Sequence, residues 1–213
     1  MSARISPAFL MDAATQQPLA AEVWDAITER QLVDFESHWK FSLATAMQRL
    51  RTAGIERKNW PQTQSSHWDW RRKVGAFSGL LSKPSFSVMC QGMTQGLMIV
   101  DLLGRCELAT QKAKPLIYIN FLENAPWNRK ELDCGQARIT GVGQLLIRAA
   151  IELSVNEGFA GRIGLHSLPQ ADSFYAKVCG MTDFGAGNSK EGLKYFEMTP
   201  EQSKAFIAKG EQL

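Results

Sequence analysis

The second half of this 213-residue chain alternates short apolar runs with longer amphipathic segments, and this order restricts the fold more than any other feature. The predicted elements are strands at 116–122, 162–166, 181–184 and 193–198, with helices over 142–158 and 169–180 between them. Strands that alternate with helices form a sheet whose faces the helices cover. The sequence therefore predicts an α/β fold for this half.

A hairpin is predicted just before this alternation begins. Phe86, Val88 and Cys90 alternate with smaller or polar residues, Gly92 and Gly96 indicate a turn, and residues 97–103 form a second apolar run. Since the two strands of a hairpin run antiparallel and the later strands are separated by helices, the predicted sheet is mixed.

The N-terminal part is predicted to be helical. Apolar residues recur at helical spacing over residues 28–53, Thr28 and Gln31 fit a capping box, and Gly54 is a plausible end of the helix. The stretch 21–27 is also predicted to be helical. We therefore divide the chain into a helical N-terminal part, residues 1–83, and a core, residues 84–213, within one domain.

Composition excludes several classes of protein. The formal net charge is +3, and residues 1–83 hold 11 Lys/Arg against 8 Asp/Glu, a surplus too small to predict nucleic-acid binding. No apolar run is long enough for a membrane span, and we expect no signal peptide. The cysteines are scattered without metal-ligand spacing, so we predict reduced thiols, no metal and a cytoplasmic location; they are Cys90, Cys106, Cys134 and Cys179.

A glycine-rich loop, residues 138–144, joins a predicted strand to the helix over 142–158. Gly141 and Gly143 carry no side chain that would hold a ligand away from the backbone N–H groups, including those of Val142 and Gln144. The helix start favours an anion, and Arg138 adds a full positive charge. The loop thus predicts a phosphate-binding site, with an ordinary glycine-rich turn as the alternative.

A second motif follows on the next predicted helix. It contains Ala171, Phe174, Tyr175, Lys177 and Gly180 in the spacing Ala-x-x-Phe-Tyr-x-Lys-x-x-Gly. Together with the loop pattern Arg-x-x-Gly-x-Gly, the sequence resembles the GNAT superfamily of N-acetyltransferases over roughly residues 116–184. The resemblance implies a GNAT-like mixed central sheet flanked by helices, here with an extended helical N-terminal part, and a chain that binds acetyl-CoA.

The resemblance also implies roles for individual residues. The cofactor would be held by the loop, by the backbone N–H at Leu122, and by Lys177, which is alternatively a solvated helix residue. Tyr175 would be the general acid for the leaving thiolate, although a tyrosine on an apolar helix face is often a core residue. Glu123, at the end of a strand, is our first candidate for the general base, and a carboxylate that caps a turn is the alternative.

For each of three other features, the sequence allows two interpretations. His166 ends a neighbouring strand and is either a titrating group or a packed, hydrogen-bonded residue. Trp127 either forms a wall of the acceptor pocket or belongs to the core. The segment 60–73 combines tryptophans with basic residues, and we favour buried rings with solvated charges over nucleotide stacking.

The predicted function is direct acetyl transfer from acetyl-CoA to an amine of a small molecule or a protein, by a monomer or homodimer. The alternative is a non-catalytic module of the same fold that binds acyl-CoA or a protein partner, because a fold does not determine a function.

Overall fold

The computed structural model describes residues 3–61, 63–132, 137–185 and 192–210. These residues form nine strands and five α-helices. The strands are β1 (Ile5–Asp12), β2 (Pro18–Trp24), β3 (Ser85–Cys90), β4 (Met93–Arg105), β5 (Pro115–Asn124), β6 (Ile139–Thr140), β7 (Ile163–Ser167), β8 (Thr182–Asp183) and β9 (Lys194–Met198). The helices are α1 (Glu29–Asp34), α2 (Lys40–Thr52), α3 (Trp70–Phe77), α4 (Val142–Asn156) and α5 (Pro200–Gly210).

The chain divides into two compact units. The first contains residues 1–80, 85–97 and 122–146, and the second contains residues 81–84, 98–121 and 147–213. Strands β4 and β5 contribute residues to both. The hydrogen-bonded strand order is β6-β1-β2-β3-β4-β5 in the first unit and β4-β5-β7-β9-β8 in the second.

The strand directions confirm the predicted mixed α/β class. Strands β1, β2 and β3 pair antiparallel in the first unit. In the second unit β5 and β7 pair parallel, whereas β9 pairs antiparallel with both β7 and β8. The parallel pair is the one that α4 connects, as a crossover between parallel strands requires.

The prediction of a helix over residues 21–27 is wrong, because residues 18–24 form β2. Ala21 pairs with Ala8 of β1 and with Cys90 of β3. An alanine-containing stretch has little strand propensity of its own, and pairing on both sides overrides it. The N-terminal part therefore contains two strands as well as helices; the division at residue 83 itself stays a prediction.

The long helix over residues 28–53 is confirmed with one local change. Helices α1 and α2 are joined by a π-helical turn, Phe35–Trp39, and both halves of the Thr28–Gln31 capping box are formed. Phe35 and Trp39 are buried. The helix ends as predicted at Gly54, which has a φ of 69°.

The predicted hairpin is also present, but one of its two glycines is not in the turn. Gly92 lies between β3 and β4 with a φ of 74°, whereas Gly96 lies inside β4. A Cβ at Gly96 would lie 2.6 Å from Cγ1 of Val142. This glycine therefore allows the start of α4 to pack closely against the strand.

The segment predicted as a helix over 169–180 is shorter and less regular. It consists of a 3-10 turn, Pro169–Ala171, and a π-helical turn, Phe174–Val178, and it stops at Gly180 as predicted. Cys90, Cys106 and Cys179 are buried free thiols, and Cys134 lies outside the described residues. None of the helices in the described ranges has the length and apolar character needed to span a bilayer.

Candidate functional site

The glycine-rich loop leads directly from β6 into α4 in the first unit. The N–H of Leu145 donates to the carbonyl of Gly141 at 3.0 Å, which identifies Gly141 as the residue that caps the helix. The N–H groups of Val142, Gly143 and Gln144 come before that first helical donor, so they have no acceptor one turn back within the helix. The loop thus presents three N–H groups at the positive end of the α4 dipole.

Gly141 has a backbone conformation that other residues rarely adopt. Its φ is 95°, and a Cβ there would lie 3.3 Å from Cδ2 of the buried Leu10. We expect Gly141→Ala to lower the free energy of unfolding by about 1–3 kcal/mol, because the left-handed conformation becomes strained. Gly75→Ala in α3 is the matched control, since a Cβ there meets no atom within 4 Å and φ is not positive. Equal urea midpoints for the two variants would contradict the prediction.

Arg138 lies at the edge of a cavity of about 740 Å³ in the first unit. Its backbone N–H donates to the carbonyl of Trp127 at 3.0 Å, and both side chains line the cavity. The Trp127 ring is mostly buried, and its Nε1–H donates to Oε1 of Gln95 at 2.9 Å. Trp127 therefore both packs in the core and forms part of a pocket wall.

Glu123, near the end of β5, is held by residues from the N-terminal part. Its Oε2 accepts a 2.6 Å hydrogen bond from Nε1–H of Trp70, which is fully buried, and a further bond comes from the Ser65 hydroxyl. Burial raises the pKa of Glu123, although these hydrogen bonds and the nearby charges of Arg129 and Lys73 lower it in part. A carboxylate with a raised pKa is suited to general base chemistry.

Sequence reasoning missed Trp70 and Ser65 as partners of Glu123. The segment 60–73 does carry tryptophans and basic residues, and burial of Trp70 agrees with the prediction of buried rings. The ring of Trp68 meets Trp70 edge-on at 6.3 Å, and the ammonium of Lys73 lies 4.7 Å from the Trp68 ring centre. Trp70 and Ser65 of this N-terminal part therefore hold the carboxylate of Glu123 by hydrogen bonds.

Substitution of Trp70 tests whether its hydrogen bond influences the pKa of Glu123. Trp70→Phe removes the N–H donor that stabilises the ionised form of Glu123, so the pKa of Glu123 should rise further. We expect the acid limb of the pH profile of kcat/KM to move to higher pH, with about a tenfold loss near the limb. Trp60→Phe is the control, because Nε1–H of Trp60 donates instead to the Ile55 carbonyl. An unmoved limb in Trp70→Phe would rule out this positioning role.

The backbone N–H groups near the two ends of strand β5 have different acceptors. In the second unit, the N–H of Ile117 donates to the carbonyl of Arg162 at 3.1 Å. In the first unit, the N–H of Ala125, which directly follows the strand, donates to the carbonyl of Gln95 at 2.9 Å.

The parallel ladder between β5 and β7 ends before either strand does. Its last described pair is Ile119 with Leu165, although His166 and Ser167 still pair with β9. Just beyond the last pair, Oδ1 of Asn120 is buried and has no hydrogen-bond partner among the described residues. Such an orphaned oxygen is expected where a ligand supplies the missing donor.

Tyr175 lies in the second unit, within the π-helical turn Phe174–Val178. Its ring packs against Phe174 at 5.2 Å and Phe196 at 5.9 Å between centres, and 6% of the residue is exposed. Burial raises the pKa of Tyr175 far above its usual value, so the hydroxyl stays protonated through the neutral range. Lys177 lies in the same turn and is exposed.

His166 belongs to a different cluster of the second unit. Its Nδ1 lies 2.8 Å from the Tyr118 hydroxyl, its ring is 5.0 Å from that of Tyr195, and all three line a cavity of about 410 Å³. Successive residues of a strand point to opposite faces, so Tyr195 and Phe196 face away from each other. His166 is thus on the face of β9 opposite to that contacted by Tyr175, in a hydrogen-bonded aromatic cluster.

The structure gathers the candidate residues in two groups. The first unit contains Glu123, Leu122 and the whole loop, and Leu122 is half-buried. The second unit contains Tyr175 and Lys177. The predicted roles of these residues stay predictions.

Comparison with known structures shows a shared fold. An uncharacterized Bacillus halodurans protein matches with a TM-score of 0.56 at 10% identity, over 95% of each chain. The GNAT domain of S. lividans PAT matches with 0.52 at 15% identity, over 90% of this chain and 96% of that one. The Thermoplasma acidophilum PaiA N-acetyltransferase, crystallised with coenzyme A, matches with 0.51 at 13% identity, over 84% and 98%.

At these identities the likeness shows the GNAT fold, as the two sequence motifs predicted. No protein-family model matches the sequence, and no curated protein matches it in sequence.

Proposed function

We propose that the chain is an acetyltransferase that uses acetyl-CoA and transfers the acetyl group directly to an amine. The start of α4 carries this proposal, because Gly141 with its positive φ is followed by three backbone N–H groups that have no acceptor within the helix, close to Arg138 in sequence, in a GNAT fold. The similar PaiA enzyme was crystallised with coenzyme A. We also place the protein in the cytoplasm, where the buried thiols would stay reduced.

The residues present suit coenzyme A. The N–H groups of Val142, Gly143 and Gln144 would hold its pyrophosphate, with Arg138 adding charge and Lys177 as a further candidate. Coenzyme A also carries amide N–H groups, which need acceptors. Within the described residues, three buried amide oxygens lack a partner: Oδ1 of Asn124 in the first unit, and Oδ1 of Asn120 and Oε1 of Gln170 in the second.

The remaining candidate residues would accept and donate the protons of the reaction. Acetyl-CoA supplies an activated acetyl group and a thiolate leaving group. An amine with a pKa of ~10.4 costs roughly 4–5 kcal/mol to present uncharged near pH 7, and Glu123 would accept its proton, directly or through water. Tyr175 would donate a proton to the departing sulfur. The backbone N–H of Leu122 would donate to the acetyl oxygen.

The proposal is tested by acetyl transfer and by cofactor binding. Incubation with acetyl-CoA and a panel of amines and proteins should give acetylated product, detected by mass spectrometry, and coenzyme A should raise the melting temperature.

Variants of the loop test the cofactor site. Gly143→Asp places a carboxylate in the phosphate site and should abolish the rise in melting temperature caused by coenzyme A. Arg138→Gln, at an exposed position, should reduce this rise without affecting folding. Arg148→Gln, further along α4, is the control. Equal shifts in all variants would mean that the loop is not the site.

A further inference from the structure

The backbone that enters the glycine-rich loop is held by hydrogen bonds on two sides. On one side, the N–H of Arg138 donates to the carbonyl of Trp127 at 3.0 Å, and the N–H of Ile139 donates to Oδ1 of Asn128 at 3.1 Å. On the other side, the carbonyl of Arg138 accepts the N–H of Ala13 at 2.9 Å. Because β6 has only two residues, these bonds are needed to fix the chain where it enters the loop.

The Asn128 side chain is itself held by Gln95 of β4. Nδ2 of Asn128 donates to Oε1 of Gln95 at 2.9 Å, and the same oxygen accepts Nε1–H of Trp127. Nε2 of Gln95 donates to the carbonyls of Cys90 and Met93 at 3.2 and 3.3 Å. Gln95 is 3% exposed. Since two donors face its oxygen and two carbonyls face its nitrogen, the orientation of this buried amide is determined.

The next residue of β4 contacts the other end of the loop. Gly96 lies against Val142, the first residue of α4, since a Cβ on Gly96 would be 2.6 Å from Cγ1 of Val142. Two successive residues of one strand therefore hold the loop, Gln95 at its entry through Asn128 and Gly96 at its exit. Strand β4 lies between β3 and β5 in the sheet, and a strand paired on both sides is among the last elements to open.

We infer that Asn128 is a positioning residue for the glycine-rich loop, and that its side chain couples the N–H groups at the start of α4 to Gln95 in the sheet. Several N–H groups bind one anion well only when they are aimed at the same point, which requires support from surrounding hydrogen bonds. Asn128 acts through the backbone of the loop and needs no contact with the cofactor. The inference rests on the proposed cofactor site and adds the residue that keeps this site in shape before binding.

The test compares Asn128→Ala with Ser85→Ala in the full chain. Oγ of Ser85 accepts the N–H of Ile27 at 3.0 Å, so the control also removes a side-chain acceptor of a distant backbone N–H in the first unit. Melting curves of the free proteins give the stability of both variants. Hydrogen exchange of the free proteins, followed by mass spectrometry, reports opening of segment 139–145, and calorimetric titration gives the Kd for coenzyme A.

We expect Asn128→Ala to speed exchange of segment 139–145 and to weaken binding of coenzyme A, each by roughly tenfold, because the hydrogen bond that fixes the entry of the loop is lost. Ser85→Ala should change neither quantity, although it loses a bond of the same kind. Asn128→Asp keeps an oxygen for the Ile139 N–H but loses the donor to Gln95, so its segment should exchange at a rate between those of wild type and Asn128→Ala.

The inference is overturned if segment 139–145 exchanges at the wild-type rate in both Asn128 variants, or if Asn128→Ala binds coenzyme A as tightly as Ser85→Ala does. The exchange comparison needs no cofactor and therefore judges the positioning of the loop by itself. Failure of the wild type to bind coenzyme A would instead contradict the proposed function.

Discussion

Tyr175→Phe is expected to lower kcat about 100-fold or more while the Kd for coenzyme A stays within twofold of wild type. The substitution removes the proton donor for the leaving sulfur and little else. Since the ring packs between Phe174 and Phe196, phenylalanine keeps the same contacts. Stopped-time assays of acetyl transfer and calorimetric titration with coenzyme A measure the two quantities.

The pH dependence gives a second readout of the same group. The raised pKa keeps Tyr175 protonated through the neutral range, so this residue should cause no fall in activity on the alkaline side below about pH 10. A π-helical turn is also a frequent location for functional residues, which agrees with this assignment.

Tyr195→Phe is the control for Tyr175→Phe. The Tyr195 hydroxyl is also buried in the second unit, but it donates to Oε2 of Glu197 at 2.9 Å. Its loss should reduce stability by about 1–3 kcal/mol and leave kcat unchanged. If Tyr175→Phe kept full kcat, Tyr175 would be a core residue. If no amine were acetylated while coenzyme A stabilised the wild type, the chain would be a binding module.

The core of the fold could be predicted because its elements carry their own patterns. Helix α4 carries apolar residues at helical spacing, and the capping box of α1 lies within four residues. Strand β2 lacks such a pattern, so a helix is predicted in its place, and β6 could not be recognised. Two residues define β6, through pairs of Ile139 and Thr140 with β1, and such pairing leaves no local signal.

In the candidate site, too, motifs that are contiguous in sequence could be predicted, whereas contacts between residues distant in sequence could not. The loop and the motif around Tyr175 are contiguous in sequence, so their residue types could be recognised. The partners of Glu123 could not, since Trp70 is 53 residues away and only the folded chain brings its indole to the carboxylate.

Glu123→Gln is expected to reduce kcat/KM by about 10²- to 10⁴-fold, as for loss of a general base. Only the ionised carboxylate can accept a proton, so wild-type kcat/KM should fall as the pH falls through the pKa of Glu123. Burial raises that pKa, so the limb should lie at a higher pH than for an ordinary glutamate. The variant should have low activity without this limb, measured as kcat/KM from pH 5 to 9.

The stability of the Glu123→Gln variant shows whether a loss of activity reflects the missing general base or a less stable fold. The pKa of Glu123 in the folded state lies above its unfolded value of ~4.3. At any pH between these two pKa values, the folded state therefore binds the proton more tightly than the unfolded state does. The contribution of Glu123 to stability therefore decreases as the pH rises through this window, and a neutral amide avoids that loss. We expect the variant to melt at pH 7 no lower than wild type, because the oxygen of the introduced amide can still accept the hydrogen bond from Trp70. A fall in both stability and activity would instead make Glu123 a structural carboxylate that anchors α3.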